Sequence, residues 1–248
     1  MALYDFSAPR LFLDAPLKAG EGVALDRGQA NYLLNVLRLK SGGSVLVFNG
    51  RDGEWRAEIM EAGRKAAALV PREQIRAQVP PGDLLYLFAP LKSARLDYMV
   101  QKAVEMGASA LKPVVTRHTQ VTRINRDRMR ANAIEAAEQC GILSIPEILP
   151  EENFSRALGA LEPDRLLVFC DEEASVANPV EALSGLRGHA GGIAVLVGPE
   201  GGFAAEERAL VLHHPRVARL SLGPRILRAD TAAVAALAVV QTVLGDWR

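Results

Sequence analysis

Apolar positions recur along this chain with two periods, and the period changes partway. In the first part the apolar runs are short. Arg10–Asp14 (RLFLD), Gly22–Asp26 (GVALD) and Ser44–Phe48 (SVLVF) are strand-like. Glu54–Ile59 (EWRAEI) alternates strictly, which sets Trp55, Ala57 and Ile59 on one face of a strand. Lys65–Val70 (KAAALV) reads as another strand, and Gly28–Leu39 (GQANYLLNVLRL) as a helix. Asn49-Gly50-Arg51-Asp52-Gly53 supplies turn chemistry twice over. Short strands with one helix predict a small barrel-like β module. Pro71, Pro80, Pro81 and Gly82 then punctuate the chain. We therefore expect a β module over 1–72, a linker over 73–82 and a second domain over 83–248.

Beyond the linker, strand and helix patterns alternate. Leu84–Leu91 is a near-continuous apolar run, as in a buried parallel strand. Ala94–Met106 carries Leu96, Met99, Val100, Ala103 and Val104 on one side, with Gly107 at the C-cap position. Further strands are expected at Leu111–Val115, Arg165–Cys170, Ile193–Val197 and Val217–Leu220. Helices are expected at Arg126–Gln139, Pro179–Leu186, Ala204–Leu212 and Ala229–Leu244. This alternation predicts an α/β domain, a parallel sheet with helices on both faces. Ligands of such sheets bind beyond the carboxyl ends of the strands. Two glycine-containing turns stand at such ends, Gly198–Gly202 and Leu222–Pro224. Glycine lets the backbone approach a ligand closely, and the following helix offers free N–H groups. The same residues also fit two ordinary strand-to-helix turns.

Composition narrows the class. The chain has 248 residues, 49% hydrophobic and 23% charged, enough to build a core in one large or two small domains. The most apolar stretch, Ala232–Leu244, is shorter than the ~18 residues a membrane span needs. The N-terminal residues lack a positive-then-apolar leader. Cys140 and Cys170 are far apart, and none of the four histidines (His118, His189, His213, His214) has metal-ligand spacing. The expectation is a cytoplasmic protein with reduced thiols, no metal and no membrane partner.

Bases and acids balance at 29 each but are unevenly spread. Residues 92–130 hold nine bases and three acids, whereas 131–248 hold nine bases and sixteen acids. A basic segment beside an acidic body fits a phosphate-facing surface, and equally a solvated helix face. Arginines make up 23 of the 29 bases, and arginine suits bidentate phosphate contacts. The chain lacks GxxxxGK[ST], GxGxxG and GxSxG, which excludes a P-loop, a Rossmann fingerprint and a hydrolase elbow. Residue patterns alone thus reach a two-domain α/β protein with a backbone-lined pocket and RNA among its candidate ligands.

Longer motifs carry a resemblance. Val195-Leu196-Val197-Gly198-Pro199-Glu200-Gly201-Gly202-Phe203 and Leu220-Ser221-Leu222-Gly223-Pro224-Arg225-Ile226-Leu227-Arg228-Ala229-Asp230-Thr231-Ala232 resemble the paired cofactor loops of SPOUT-class methyltransferases. More narrowly they are similar to the RsmE family, which methylates N3 of a uridine in 16S ribosomal RNA. Pro9–Phe12, Val36–Arg38, Phe48–Gly50, Gln101–Gly107, Glu138–Gly141 and Pro146–Ile148 resemble other parts of that family. The sequence departs from it at Ile142, where the family usually has Arg, and at Gly43, where it has Asp. Ala229 and Asp230 stand for the family's Thr and Glu.

The resemblance implies a PUA-like β-barrel followed by a SPOUT-type sheet tied in a trefoil knot. It implies a homodimer that acts on 16S rRNA or the small ribosomal subunit with S-adenosylmethionine. The cofactor would be held by Leu196, Val197, Gly198, Pro199, Glu200, Gly201 and Gly202, by Leu220, Ser221, Leu222 and Gly223, and by Ile226, Leu227, Arg228, Ala229, Thr231 and Ala232. Arg228, as a cation for the uracil anion, and Glu200, as a proton acceptor, are the candidate catalytic residues. Arg10, Arg38, Lys92, Arg95, Arg117 and Arg123 are the candidate phosphate contacts. Three other readings stay open: a ribose 2′-O-methyltransferase acting on tRNA or 23S rRNA, a non-catalytic RNA-binding assembly factor, and a nucleotide-binding enzyme without RNA.

Overall fold

The computed structural model describes residues 8–63, 66–121, 123–175 and 178–247. Two compact units emerge, one of residues 1–80 with Ala137–Ser144, the other of 81–136 with 145–248. Lys65, the first residue of the expected strand Lys65–Val70, lies outside the described residues.

The first unit holds β1 (Arg10–Phe12), β2 (Val23–Ala24), α1 (Arg27–Asn31), β3 (Ser44–Phe48), β4 (Glu54–Gly63) and β5 (Ala66–Arg76). Its sheet runs β1-β3-β4-β5-β2, with β1 parallel to β3 and the other pairs antiparallel. The expected linker therefore begins inside β5, which continues to Arg76. Alternation puts Val45, Val47, Ala57, Ile59 and Leu69 into one core with Leu11, Leu13 and Leu33. The helix expected over Gly28–Leu39 is interrupted. Asp26 caps α1 through a capping box with Gln29, and a π-helical turn follows over Tyr32–Val36. Arg38 then takes a left-handed backbone (φ 56°) and ends the segment.

Glu54 is the buried charge of this unit. Arg10 Nε and Arg76 Nε each donate to its carboxylate at 2.7 Å. Burial opposes the charge, and the hydrogen bonds from Arg76 and Arg10 outweigh it, so the carboxyl sits below its ordinary range. The Arg10 guanidinium also donates to the carbonyls of Ala137, Glu138 and Ile142, and lies 4.5 Å from the Phe48 ring centroid. Arg10 is thus committed to internal partners, which corrects its reading as a phosphate contact. At Ile142 the backbone carbonyl makes this contact, and its side chain is half-buried.

The second unit follows the expected alternation. It holds β6 (Leu84–Phe88), α2 (Ser93–Glu105), β7 (Ala110–Val115), α3 (Arg126–Cys140, whose last four residues fall in the first unit), β8 (Glu147–Ile148), β9 (Glu152–Asn153) and α4 (Phe154–Gly159). β10 (Leu166–Cys170), α5 (Pro179–Ser184), β11 (Ile193–Val197), α6 (Ala205–Leu212), β12 (Val217–Leu220) and α7 (Ala229–Val243) complete it. The sheet order is β12-β10-β11-β6-β7-β8, with β9 also on β7, and its strand pairs are parallel. Side chains alternate across it. Leu87, Leu167, Phe169, Ala194 and Leu196 share one core with Phe154 of α4 and Val211 of α6. Tyr86, the neighbour of Leu87, points the other way and donates its hydroxyl to Met99 Sδ of α2 at 3.3 Å. α7 packs with α2, α5 and β11. Among the described residues no helix is long and apolar enough to cross a membrane.

Candidate active site

β12, β10 and β11 are neighbours and parallel, so the loops leaving their carboxyl ends meet at one edge of the sheet. These loops enclose a cleft of ≈ 580 Å³. Gly198–Phe203 forms one wall, Leu220–Leu227 with Ala229 and Ala232 of α7 the second, and Phe169–Glu173 the third. Both glycine turns singled out from the sequence therefore face the same space.

The Gly198–Phe203 turn is shaped by packing on its far side. Gly202 N–H donates to Pro199 O at 2.9 Å, and Gly202 adopts φ 68°, a conformation that favours glycine. Phe203 folds back over Gly198 and anchors in the core, its ring centroid 5.2 Å from Phe154 and 5.4 Å from Phe169. Glu200 stands at the exposed rim, where Arg95 Nη1 donates to its carboxylate at 3.1 Å.

The third wall carries charge. Asp171 is buried, accepting from Arg219 Nε at 2.6 Å and Arg208 Nη2 at 3.0 Å. Its desolvation is outweighed by hydrogen bonds from Arg208 and Arg219 and from the Glu173 N–H, so its carboxyl is held below the usual value. Arg208 also pairs with Glu173 at 3.0 Å, and Arg219 donates to the Glu173 carbonyl. This network fixes the loop after β10 against β12 and α6. Beside it, burial and then the Asp171 charge push the Cys170 thiol up to about 12.

Of the residues expected to hold a ligand, Val197, Gly198, Pro199, Glu200, Gly201 and Gly202 line the cleft, as do Leu220, Ser221, Leu222, Gly223, Ile226, Leu227, Ala229 and Ala232. Leu196 is a correction: its side chain is fully buried in the α4–α6 core, because alternation along β11 turns it away from Val197. Arg228 and Thr231 are not part of the lining either. Arg228 is the exposed N-cap residue of α7, with an extended backbone. Phe169, Asp171, Glu173 and Arg208 line the cleft unanticipated. Asp171 and Glu173 are signalled in the sequence only by the polar run Asp171-Glu172-Glu173 at a strand end, and Phe169 and Arg208, inside β10 and α6, carry no such signal.

The next strands along the sheet, β6 and β7, end at the same edge. The loops after them carry Lys92, Arg117 and Arg123, which are exposed, and the first turn of α2 carries Arg95, which is half-buried against Glu200. Arg38 is exposed in the first unit.

Comparison with known proteins agrees with this architecture. A Rickettsia conorii protein named Ribosomal RNA small subunit methyltransferase E is 29% identical over 94% of each chain. A Synechocystis protein of the same name is 28% identical over 90% of this chain and 73% of its own. The crystal structure of a Ribosomal RNA small subunit methyltransferase E from Neisseria gonorrhoeae bound to S-adenosyl methionine superposes with a TM-score of 0.85 at 27% identity, covering 97% of this chain and 100% of that one. The Legionella pneumophila methyltransferase Lpg2936, in complex with the same cofactor, gives 0.81 at 26% identity over 95% and 97%. Residues 25–71 match the RNA methyltransferase PUA domain, which makes the first unit PUA-like. With residues 78–241 matching the RNA methyltransferase domain, the chain belongs to the RNA methyltransferase family.

Proposed function

We propose that this protein transfers the methyl group of S-adenosylmethionine to N3 of a uridine in 16S ribosomal RNA of the small subunit. The observation that carries the reading is the cleft itself: both glycine turns of the resemblance wall one space, in a chain that matches small-subunit rRNA methyltransferases almost end to end.

The lining fits the cofactor. Peptide N–H and C=O groups of the Gly198–Gly202 and Leu222–Leu227 turns suit a neutral adenine and ribose, and Val197, Leu220, Leu222 and Leu227 provide an apolar slot. When bound, the cofactor supplies a methyl group activated by its sulfonium. The chain's part is alignment, which contributes up to ~7–11 kcal/mol in well-oriented reactions. N3 lies on the Watson–Crick edge, so the target base must be unpaired when it reacts. Arg228 is exposed, and its side chain has no hydrogen bond or ion pair among the described residues, so its donors are available to stabilise the uracil anion. Glu200 is engaged by Arg95, which makes it a brace for the turn rather than a free base.

The reading extends to partners. Arg38, Lys92, Arg95, Arg117 and Arg123 hold RNA phosphates. A homodimer covers the half-exposed apolar face of α7, formed by Val234, Ala235, Ala238 and Val239. The cofactor loops are knotted, and the protein works in the cytoplasm, where its substrate is assembled.

The test is incubation with S-adenosylmethionine and small subunits that lack the modification, followed by nucleoside mass analysis. We expect 3-methyluridine. A 2′-O-methylated product would transfer the chain to ribose chemistry, and cofactor binding without any product would favour the assembly-factor reading.

A further inference from the structure

The loop after β7 is bonded at two points, one on the cleft turn and one on the helix that follows it. His118 Nδ1 lies 3.1 Å from the carbonyl oxygen of Gly202. A carbonyl only accepts, so Nδ1 carries the proton and donates. The His118 side chain also packs on Gly201, where an added β-carbon would stand 3.2 Å from His118 Cβ. One residue earlier, the Arg117 N–H donates to Glu207 Oε1 at 2.8 Å, while Glu207 Oε2 accepts from the Ala204 N–H at 3.0 Å. A single carboxylate thus joins the loop to the start of α6, and one imidazole joins it to the crest of the turn. The same loop carries Arg117 and Arg123, both exposed.

We infer that His118 is a positioning residue that couples RNA engagement to the shape of the cleft, so that RNA and cofactor strengthen each other's binding. The inference rests on reading the cleft as the cofactor site and this loop as RNA-facing. The coupling is entropic. A turn with successive glycines has many accessible backbone states, and its outer bonds select one. Those bonds come from a loop whose arginines phosphates would order. Ordering the loop first lowers the cost of ordering the turn, and the effect is reciprocal by linkage.

The test compares the wild-type chain with His118→Ala and with His118→Asn, whose amide N–H replaces the Nδ1 donor. Affinity for S-adenosylmethionine is measured with and without saturating small-subunit RNA. RNA should strengthen wild-type cofactor binding by about fivefold or more. H118A should bind cofactor about three- to tenfold more weakly, lose the response to RNA, and show its defect in KM for the cofactor more than in kcat. H118N should restore both affinity and response. If H118A fails to fold, Glu207→Gln, which leaves one oxygen for two donors, tests the same link. Hydrogen exchange in the Gly198–Ala204 segment reads the link without cofactor: RNA should slow it in the wild type and not in H118A. Wild-type binding and exchange retained in H118A, or no rescue in H118N, would overturn the inference. A wild-type chain that binds no S-adenosylmethionine would overturn the cofactor reading instead, with the exchange experiment still deciding the link.

Discussion

The ring of Phe203 occupies the space that a side chain on Gly198 would need: a β-carbon built there stands 2.5 Å from Phe203 Cε2. Phe203 is itself held by Phe154 and Phe169, so the ring cannot retreat without disturbing the core. Gly198→Ala is therefore expected to displace the turn. Overpacking of this kind costs about 1–3 kcal/mol. Cofactor affinity should fall by about tenfold or more, as an equal free-energy loss at the wall predicts. Calorimetry and a thermal melt on the same variant check both, and unchanged affinity would mean the turn is not a ligand wall.

Asp171 should make stability depend on pH. Its folded value is depressed, so its contribution is present above the unfolded carboxylate value of about 3.9 and disappears as pH falls through the lower folded value. Asp171→Asn leaves Arg208 and Arg219 without their shared anion and should cost about 1–3 kcal/mol at neutral pH. Urea unfolding at neutral and acidic pH checks the sign: the gap between wild type and variant must narrow on acidification.

The cations of this chain should separate by role. Charge reversal of Arg117 and Arg123 should weaken RNA binding and flatten its salt slope by about 0.7 for each phosphate no longer neutralised. Arg10→Ala should instead lower the stability of the first unit, because Glu54 loses one of its two arginine partners and the Ala137, Glu138 and Ile142 carbonyls each lose a donor. RNA titrations at several salt concentrations, beside melts of each variant, test the division.

Arg228→Ala should reduce kcat by about two orders of magnitude, the scale of losing one stabilising donor, with little change in cofactor affinity. Glu200→Gln should have a smaller effect, felt mainly in cofactor affinity, since its contact is with Arg95. Single-turnover rates at saturating cofactor distinguish the two. A full loss in E200Q would make Glu200 the proton acceptor and overturn its role as a brace.

The two thiols should react unequally. Cys140 is exposed, whereas the Cys170 thiol, pushed up to about 12, holds almost no thiolate near neutral pH. A thiol reagent at pH 8 should modify one cysteine in the native chain and both after denaturation, as counted by intact mass.

Much of this fold can be read from residue pattern because its elements are locally consistent. Ile193–Val197 is apolar throughout and ends in glycine turns, and α2 keeps a helical stripe up to Gly107. β8 and β9 have two residues each, too few for any period to register. The position of Leu196 follows from strand alternation, which forbids Leu196 and Val197 from facing the same side. Asp171 is different in kind. An acid at the head of an Asp-Glu-Glu run reads as solvated surface, and only the pairing of β10 with β12 brings Arg219 to it. Arg10 is likewise defined by partners far away in sequence, Glu54 and the end of α3.

Strand order in space differs from order in the chain: β10 lies between β12 and β11. β12 thus docks on the outer side of a strand made well before it, and its following loop is one wall of the cleft. A chain still lacking the residues from Val217 onward has the Gly198 turn but no enclosed space beside it. The cleft therefore closes only once β12 has paired with β10, so a ligand is enclosed only after these two strands have met.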